Sequence, residues 1–261
     1  MPKFSANLSM LFTEYAFLDR FEAAAKAGFR GVEYLGPYEF PAPEIAARLK
    51  ANGLTQALFN LPSGDWGKGE RGIACHPDRV AEFREGVSRT IDYAHALGCS
   101  MVNCLAGIAT PKSTITEAHR TLVENLRYAA ERLEKEGVLL VVEPINRFDM
   151  PGFFLTHSAR ALDVIDETGA SNLKLQYDIY HMQRMEGELT ATIEKNLARI
   201  GHIQIAGNPG RHEPDIGEIN YPFLIGRLDA LGYAGWIGAE YKPKGKTEDG
   251  LGWMRAYGAR N

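Results

Sequence analysis

The 261-residue sequence predicts an α/β chain folded as a single (β/α)8 TIM barrel, with residues 1–261 forming one domain. Two observations carry that prediction. An amphipathic helix, a glycine at its end and a short apolar strand recur seven times behind an opening strand, and no Pro/Ser linker or low-complexity tract divides the chain. Eight β/α units at this length fit a closed parallel sheet better than an open, doubly wound one.

The elements follow in order. Phe4 to Ser9 opens the sheet, and KAGFRGVEYL and KANGLTQALFN bring the second and third strands, the latter ending at Asn60. Leu61 to Pro77, containing Trp66, reads as a mobile loop placed to close over a site. Val80, Phe83, Val87, Ile91, Ala94 and Leu97 mark one buried helix face, and HALGCSMVNCL delivers the fourth strand. A second such face, Leu122, Leu126, Ala129 and Leu133, leads into EKEGVLLVVEP; DETGASNLKLQYD, ARIGHIQIAG and DALGYAGWIGAEY supply strands six to eight. Each junction glycine stands where a helix end favours a left-handed residue. The tail after Gly250 is short for an eighth helix, so imperfect closure is expected there.

Composition excludes several function classes. Lys and Arg number 29 against 33 Asp and Glu, a net charge of −4, which argues against a nucleic-acid partner. The three cysteines, Cys75, Cys99 and Cys104, form no C-x-x-C pair, which fits a reducing cytoplasm rather than a disulfide framework. The strongest apolar run, Val138 to Val142, is too short to span a bilayer, and MPKFSANLSM lacks the pattern of an export signal. A homo-oligomer is compatible with this reading.

A barrel carries its chemistry at the C-terminal ends of its strands. Strands five to eight end at Glu143, Asp178, Gln204 and Glu240. Inward-pointing ends of four neighbouring strands converge on a volume that one cation fills, and three carboxylates crowded there without one repel each other and resist burial. Four oxygen donors favour a hard divalent ion, Mg²⁺ or Mn²⁺, over zinc. Period-two alternation puts Lys242 on the same face as Glu240, where its ammonium would meet an anionic substrate group. His181, Arg211 and His212 are candidates for binding substrate oxygens; His202 lies one layer below Gln204, and Glu33 ends the second strand towards the same mouth.

Two motifs fail their context. Gly67, Gly69 and Gly72 match G-x-G-x-x-G, yet no strand directly precedes them and no helix starts at the third glycine, so the dinucleotide reading is rejected. His212-Glu213-Pro214 lacks the second histidine of a zincin, and no phosphate-binding P-loop occurs.

Four long segments, EPINRFDMPGFFL from Glu143, LQYDIYHMQRMEGEL from Leu175, HIQIAGNPGRHEPDIGEINY from His202 and WIGAEYKPKGKTEDGLGW from Trp236, resemble the hydroxypyruvate isomerase family of xylose-isomerase-like barrels. The likeness runs from NLSMLFTE at Asn7 to Trp253. It implies that Glu143, Asp178, Gln204 and Glu240 hold a metal, that Glu143 and Glu240 also form the acid/base pair, and that the substrate is a small hydroxy-oxo acid passing through an enediolate. EPINR is similar to ketose 3-epimerases as well, although those usually carry histidine at the position of Gln204. Isomerases of 2-oxo-tetronate differ from this chain around the DIYHMQRMEG stretch. Endonuclease IV shares the barrel family, but its three-zinc site needs more mouth histidines than this chain supplies. A sugar-acid binding protein is the reading without catalysis.

Overall fold

The computed structural model describes residues 2–110 and 113–258. Eight strands, β1 (Lys3–Asn7), β2 (Gly31–Tyr34), β3 (Thr55–Asn60), β4 (Met101–Cys104), β5 (Leu139–Val142), β6 (Leu173–Asp178), β7 (Ile200–Ile205) and β8 (Trp236–Ala239), pair in parallel and in chain order. Helices α1 (Arg20–Lys26), α2 (Ala42–Asn52), α3 (Val80–Leu97), α4 (Ile115–Glu134), α5 (Ser158–Thr168), α6 (Ile179–Met185), α7 (Leu189–Asn196) and α8 (Tyr221–Ala230) lie between them. The periodic positions read from the sequence are buried except Val80, which is half-buried at the start of α3: Phe83, Val87, Ile91, Ala94 and Leu97 in α3, and Leu122, Leu126, Ala129 and Leu133 in α4. Thr114 caps α4 with a reciprocal Glu117 bond, satisfying donors the helix leaves open.

The barrel closes fully, correcting the expectation of an imperfect seam. Lys3 to Ala6 of β1 register against Trp236 to Ala239 of β8. The tail does the work of an eighth outer helix as a 3₁₀ segment, Glu248–Tyr257, whose Trp253 packs edge-on to Phe4 at 5.0 Å and donates its indole N–H to Tyr241 at 3.2 Å. Burying such a ring is worth about 1.5–3 kcal/mol, enough to seat a short segment without a regular helix. Residues 259–261 of that tail lie outside the described residues.

Six of the seven junction glycines, Gly28, Gly53, Gly98, Gly137, Gly169 and Gly232, have the expected positive φ. Gly201 does not. It sits within β7, where a Cβ would stand 2.8 Å from Val141 Cγ1, so packing rather than turn geometry requires it. Gly238 in β8 has a similar reason, since a Cβ there would lie 2.3 Å from the Glu33 carboxylate. Among the described residues no helix is long and apolar enough to cross a membrane.

Candidate active site

Each of the eight strands carries a buried polar residue at or near its C-terminal end, Glu33 lying a layer deeper than the rest: Asn7, Glu33, Asn60, Asn103, Glu143, Asp178, Gln204 and Glu240. The rule that identified the last four in the sequence applies equally to Asn7, Asn60 and Asn103, whose signal was present but carried no charge to draw attention. These asparagines hold the acids. Asn7 donates to Glu240 Oε2 at 2.8 Å, and Asn103 donates to Glu143 Oε2 at 3.3 Å and to Asn60 Oδ1 at 3.2 Å. Glu143 Oε1 and Asp178 Oδ2 are left buried with no hydrogen-bond partner.

Below them lies a layer of fixed polarity. Glu33 accepts from Ser5 at 2.7 Å, Gln204 at 2.8 Å and His202 Nε2 at 2.9 Å. Burial works against its ionised form, but the His202, Ser5 and Gln204 contacts outweigh it and hold the Glu33 carboxyl below its usual range. Glu33 and His202 therefore support the floor of the site rather than its open space. Gln204 Nε2 also faces Glu240 Oε2 at 2.5 Å, while its oxygen accepts from Gln176 at 2.8 Å. The sequence expectation of a Gln204 oxygen aimed at the acids differs from this placement, because Glu33 draws the amide nitrogen inward.

His181 has a defined tautomer. Asn146 Oδ1 accepts the backbone N–H groups of Phe148 and Asp149 at 3.0 and 2.9 Å, which turns Nδ2 towards Asp149 Oδ2 at 3.0 Å and His181 Nδ1 at 2.7 Å. Nδ1 therefore accepts. Burial, with Arg211 and Arg184 nearby, pushes protonation of this ring well below its ordinary range, so the neutral ring carries its proton on Nε2. That N–H lies 3.5 Å from Asp178 Oδ2 and 3.8 Å from Glu143 Oε1.

Arg211 reaches in from the loop after β7. Its Nη2 is 2.5 Å from Glu240 Oε1 and 3.5 Å from Asp178 Oδ2. Lys242 lines the same cavity as Glu240, by way of a loop rather than strand alternation. β8 ends at Ala239, alternation stops with it, and Lys242 is an exposed residue on the cavity rim whose backbone N–H donates to the Arg211 carbonyl at 2.7 Å. His212 Nδ1 contacts the Lys242 carbonyl at 2.8 Å and braces these two loops instead of facing the cavity. A second polar group was not anticipated: Asp149 accepts from Tyr180 at 2.7 Å and pairs with Arg184.

Glu143, Asp149, His181, Arg211, Glu240 and Lys242 line one cavity of about 540 Å³ with Trp66 and Arg71 from the loop after β3. Crowding shifts the acids. Burial first, then Glu240 and Asp178, push the Glu143 carboxyl well above the ordinary range. Burial raises Glu240 to about 8 against the opposing pull of Arg211, and Asp178 is raised for the same reason.

A barrel of this connectivity with its acids at the mouth is a specific combination, and the sequence model of the xylose isomerase-like TIM barrel matches residues 21–257. The chain belongs to that family. Among its relatives, hydroxypyruvate isomerase of Escherichia coli is 56% identical over 98% of this chain and 100% of its own. A 2-oxo-tetronate isomerase of Cupriavidus necator is 51% identical over 98% and 99%. A crystal structure described as AP endonuclease, family 2, from Brucella melitensis superposes with a TM-score of 0.96 at 48% identity, covering 98% of this chain and 99% of that one. The named full-length relatives are isomerases, and this xylose isomerase-like protein is an isomerase.

Among the described residues one group of histidine, cysteine and acidic side chains is arranged to hold a metal ion: Glu143, Asp178 and His181, with candidate atoms within 4.8 Å of one another. The two oxygens that accept no hydrogen bond fit a cation, and Asp178 Oδ2 already lies 3.5 Å from the Arg211 guanidinium. His181 fits less well, because its Nε2 carries the proton while Asn146 holds Nδ1.

Proposed function

We propose that this isomerase interconverts hydroxypyruvate and 2-hydroxy-3-oxopropanoate (tartronate semialdehyde) through an enediolate, with Glu143 and Glu240 as the acid/base pair. The observation that carries the reading is two buried carboxyls, one held by Asn103 and the other by Asn7, facing one cavity. A pair of carboxyls placed this way can take a proton on one side and return one on the other.

Glu143, Asp178, Gln204 and Glu240 would hold a divalent ion, Mg²⁺ or Mn²⁺; Glu143 Oε1 and Asp178 Oδ2, buried and without a hydrogen bond, support an oxygen-rich site for a hard cation. Gln204 joins this set only if its amide turns its oxygen inward. When bound, the ion supplies positive charge to stabilise developing negative charge on substrate oxygens. The chain's own groups do the rest. Glu143 is held by Asn103 through Oε2 and faces the cavity as one of the two proton-carrying groups. Glu240, fixed by Asn7, Gln204 and Arg211, faces the same cavity as the second proton-carrying group. His181 Nε2–H and Arg211 orient the substrate oxygens, and Lys242 adds positive field at the rim. Three buried free thiols, Cys75, Cys99 and Cys104, are consistent with work in a reducing cytoplasm.

The relatives make 2-oxo-tetronate the second reading, since the same chemistry serves a longer acid. A substrate panel with Mn²⁺ decides. We expect kcat/KM to be highest for hydroxypyruvate, lower for 2-oxo-tetronate and lowest for fructose or tagatose. A neutral ketose turned over best means a ketose epimerase. Ligand binding without turnover means a binding protein. Cleavage of an abasic-site DNA duplex without isomerisation assigns the chain to DNA repair, a role disfavoured by its acidic balance and by a metal-capable cluster with one histidine.

A further inference from the structure

Four cationic side chains line the cavity: Arg71, Arg184, Arg211 and Lys242. Two are already paired, Arg184 with Asp149, and Arg211 with Glu240 and Asp178. Among the described residues Arg71 has no carboxylate partner. Its hydrogen bonds run from Nη1 to the carbonyls of Trp66 at 3.1 Å and Glu70 at 2.7 Å. Nη1 carries two hydrogens, so these two bonds use both. Nε–H and Nη2 remain, and together they form the edge of a guanidinium that grips a carboxylate through two parallel bonds.

The group is also held in place. Its central carbon lies 4.0 Å from the Trp66 ring centroid, so the indole fixes the guanidinium plane. The supporting loop is tied on both sides. Gly72 N–H donates to Ser63 at 2.8 Å, and Glu70 pairs with Arg79 at 2.6 Å. At Gly72, with φ of 104°, a Cβ would stand 2.3 Å from the Leu105 carbonyl, so the loop backbone packs directly on the segment after β4. A cation held this way loses little freedom on binding, whereas the exposed Lys242 ammonium has neither a fixed plane nor a fork.

We infer that Arg71 binds the carboxylate of the substrate through its Nε–Nη2 edge and sets the preference for acids over neutral hydroxy-ketones. This rests on the hydroxy-oxo-acid reading above. It replaces Lys242, the residue expected from the sequence, with a residue on the loop after β3. The G-x-G-x-x-G match thus spans a substrate-binding arginine, with Gly72 providing the close approach that positions it.

Dihydroxyacetone tests the inference, because it keeps the hydroxy-ketone of hydroxypyruvate and replaces the carboxylate with a hydroxymethyl group. Arg71→Met is expected to raise KM for hydroxypyruvate by about 10- to 100-fold, the worth of a charge-assisted pair, while the Ki of dihydroxyacetone as a competitor stays within about threefold. Arg71→Lys falls between wild type and Arg71→Met because it keeps charge and loses the fork. A hydroxypyruvate KM within threefold of wild type in Arg71→Met overturns the inference. So does parallel weakening of both compounds, which marks a purely structural role. Should wild type fail to turn over hydroxypyruvate, the substrate reading fails by itself. Calorimetric binding of D-glycerate then decides on Arg71: selective loss in Arg71→Met upholds it, and equal affinity in both proteins, or no binding to wild type, overturns it.

Discussion

Glu240→Gln and Glu143→Gln are each expected to lower kcat for hydroxypyruvate by about 10²–10⁴, the usual worth of a positioned acid or base, with a much smaller change in KM. Glutamine keeps the shape and most of the hydrogen-bonding capacity of either acid but neither takes nor returns a proton. Glu240 is the cleaner case, because Asn7, Gln204 and Arg211 hold it from three directions. Steady-state kinetics at saturating Mn²⁺ separate lost proton transfer from weakened ion binding. A variant restored to within a few-fold of wild type by excess ion would leave that residue as a ligand alone and remove it from the acid/base pair.

Removing divalent ions is expected to abolish turnover, and Mg²⁺ or Mn²⁺ is expected to restore it. The chelated protein should also show a distinctive pH dependence of stability. Burial lifts Glu240 to about 8 and pushes Glu143 well above its ordinary range, so between pH about 5 and 8 the folded chain keeps protons that the unfolded chain releases. Unfolding is then favoured as pH rises, and Tm should fall across that window. A bound cation stabilises the ionised acids and should flatten the slope. Thermal scans with and without Mn²⁺ read this directly; identical profiles together with full activity after chelation would contradict a divalent-ion site at these residues.

Much of the barrel was legible because its signals are local and repeated. A glycine after each amphipathic helix and an apolar run after each glycine yield eight strands without knowledge of any contact. Gly201 is instructive, since the same sequence pattern arises from a strand glycine packed on Val141. The tail shows the opposite limit: Glu248–Tyr257 closes the outside of the barrel through Trp253 on Phe4, a contact between opposite ends of the chain that no local period announces.

At the site, strand-end acids were readable because burying charge needs a reason, and the structure gathers Glu143, Asp178 and Glu240 at one mouth with His181 and Arg211. Lys242 lines the same cavity as Glu240, although β8 ends at Ala239 and a loop rather than strand alternation brings it there. Arg71 was not legible. Its significance comes from which guanidinium hydrogens are already used and which neighbouring cations already have partners, and both are properties of three-dimensional packing. Asn146 is similar, acting on His181 through a tautomer that only the full set of its hydrogen bonds defines.

The central claim is that one acid removes a proton from the substrate and a different acid returns one to the neighbouring carbon. Isomerisation of hydroxypyruvate in D₂O, followed by proton NMR over the first turnovers, tests it most directly. Glu240 and Glu143 exchange their acidic hydrogen with solvent, so the product should carry deuterium at C2 from the earliest time points, at a rate that falls with kcat in Glu240→Gln. Product that retains protium at C2 would mean that the hydrogen taken from C3 reaches C2 without exchange, directly or on a single shielded carboxyl, and would contradict the two-carboxyl account.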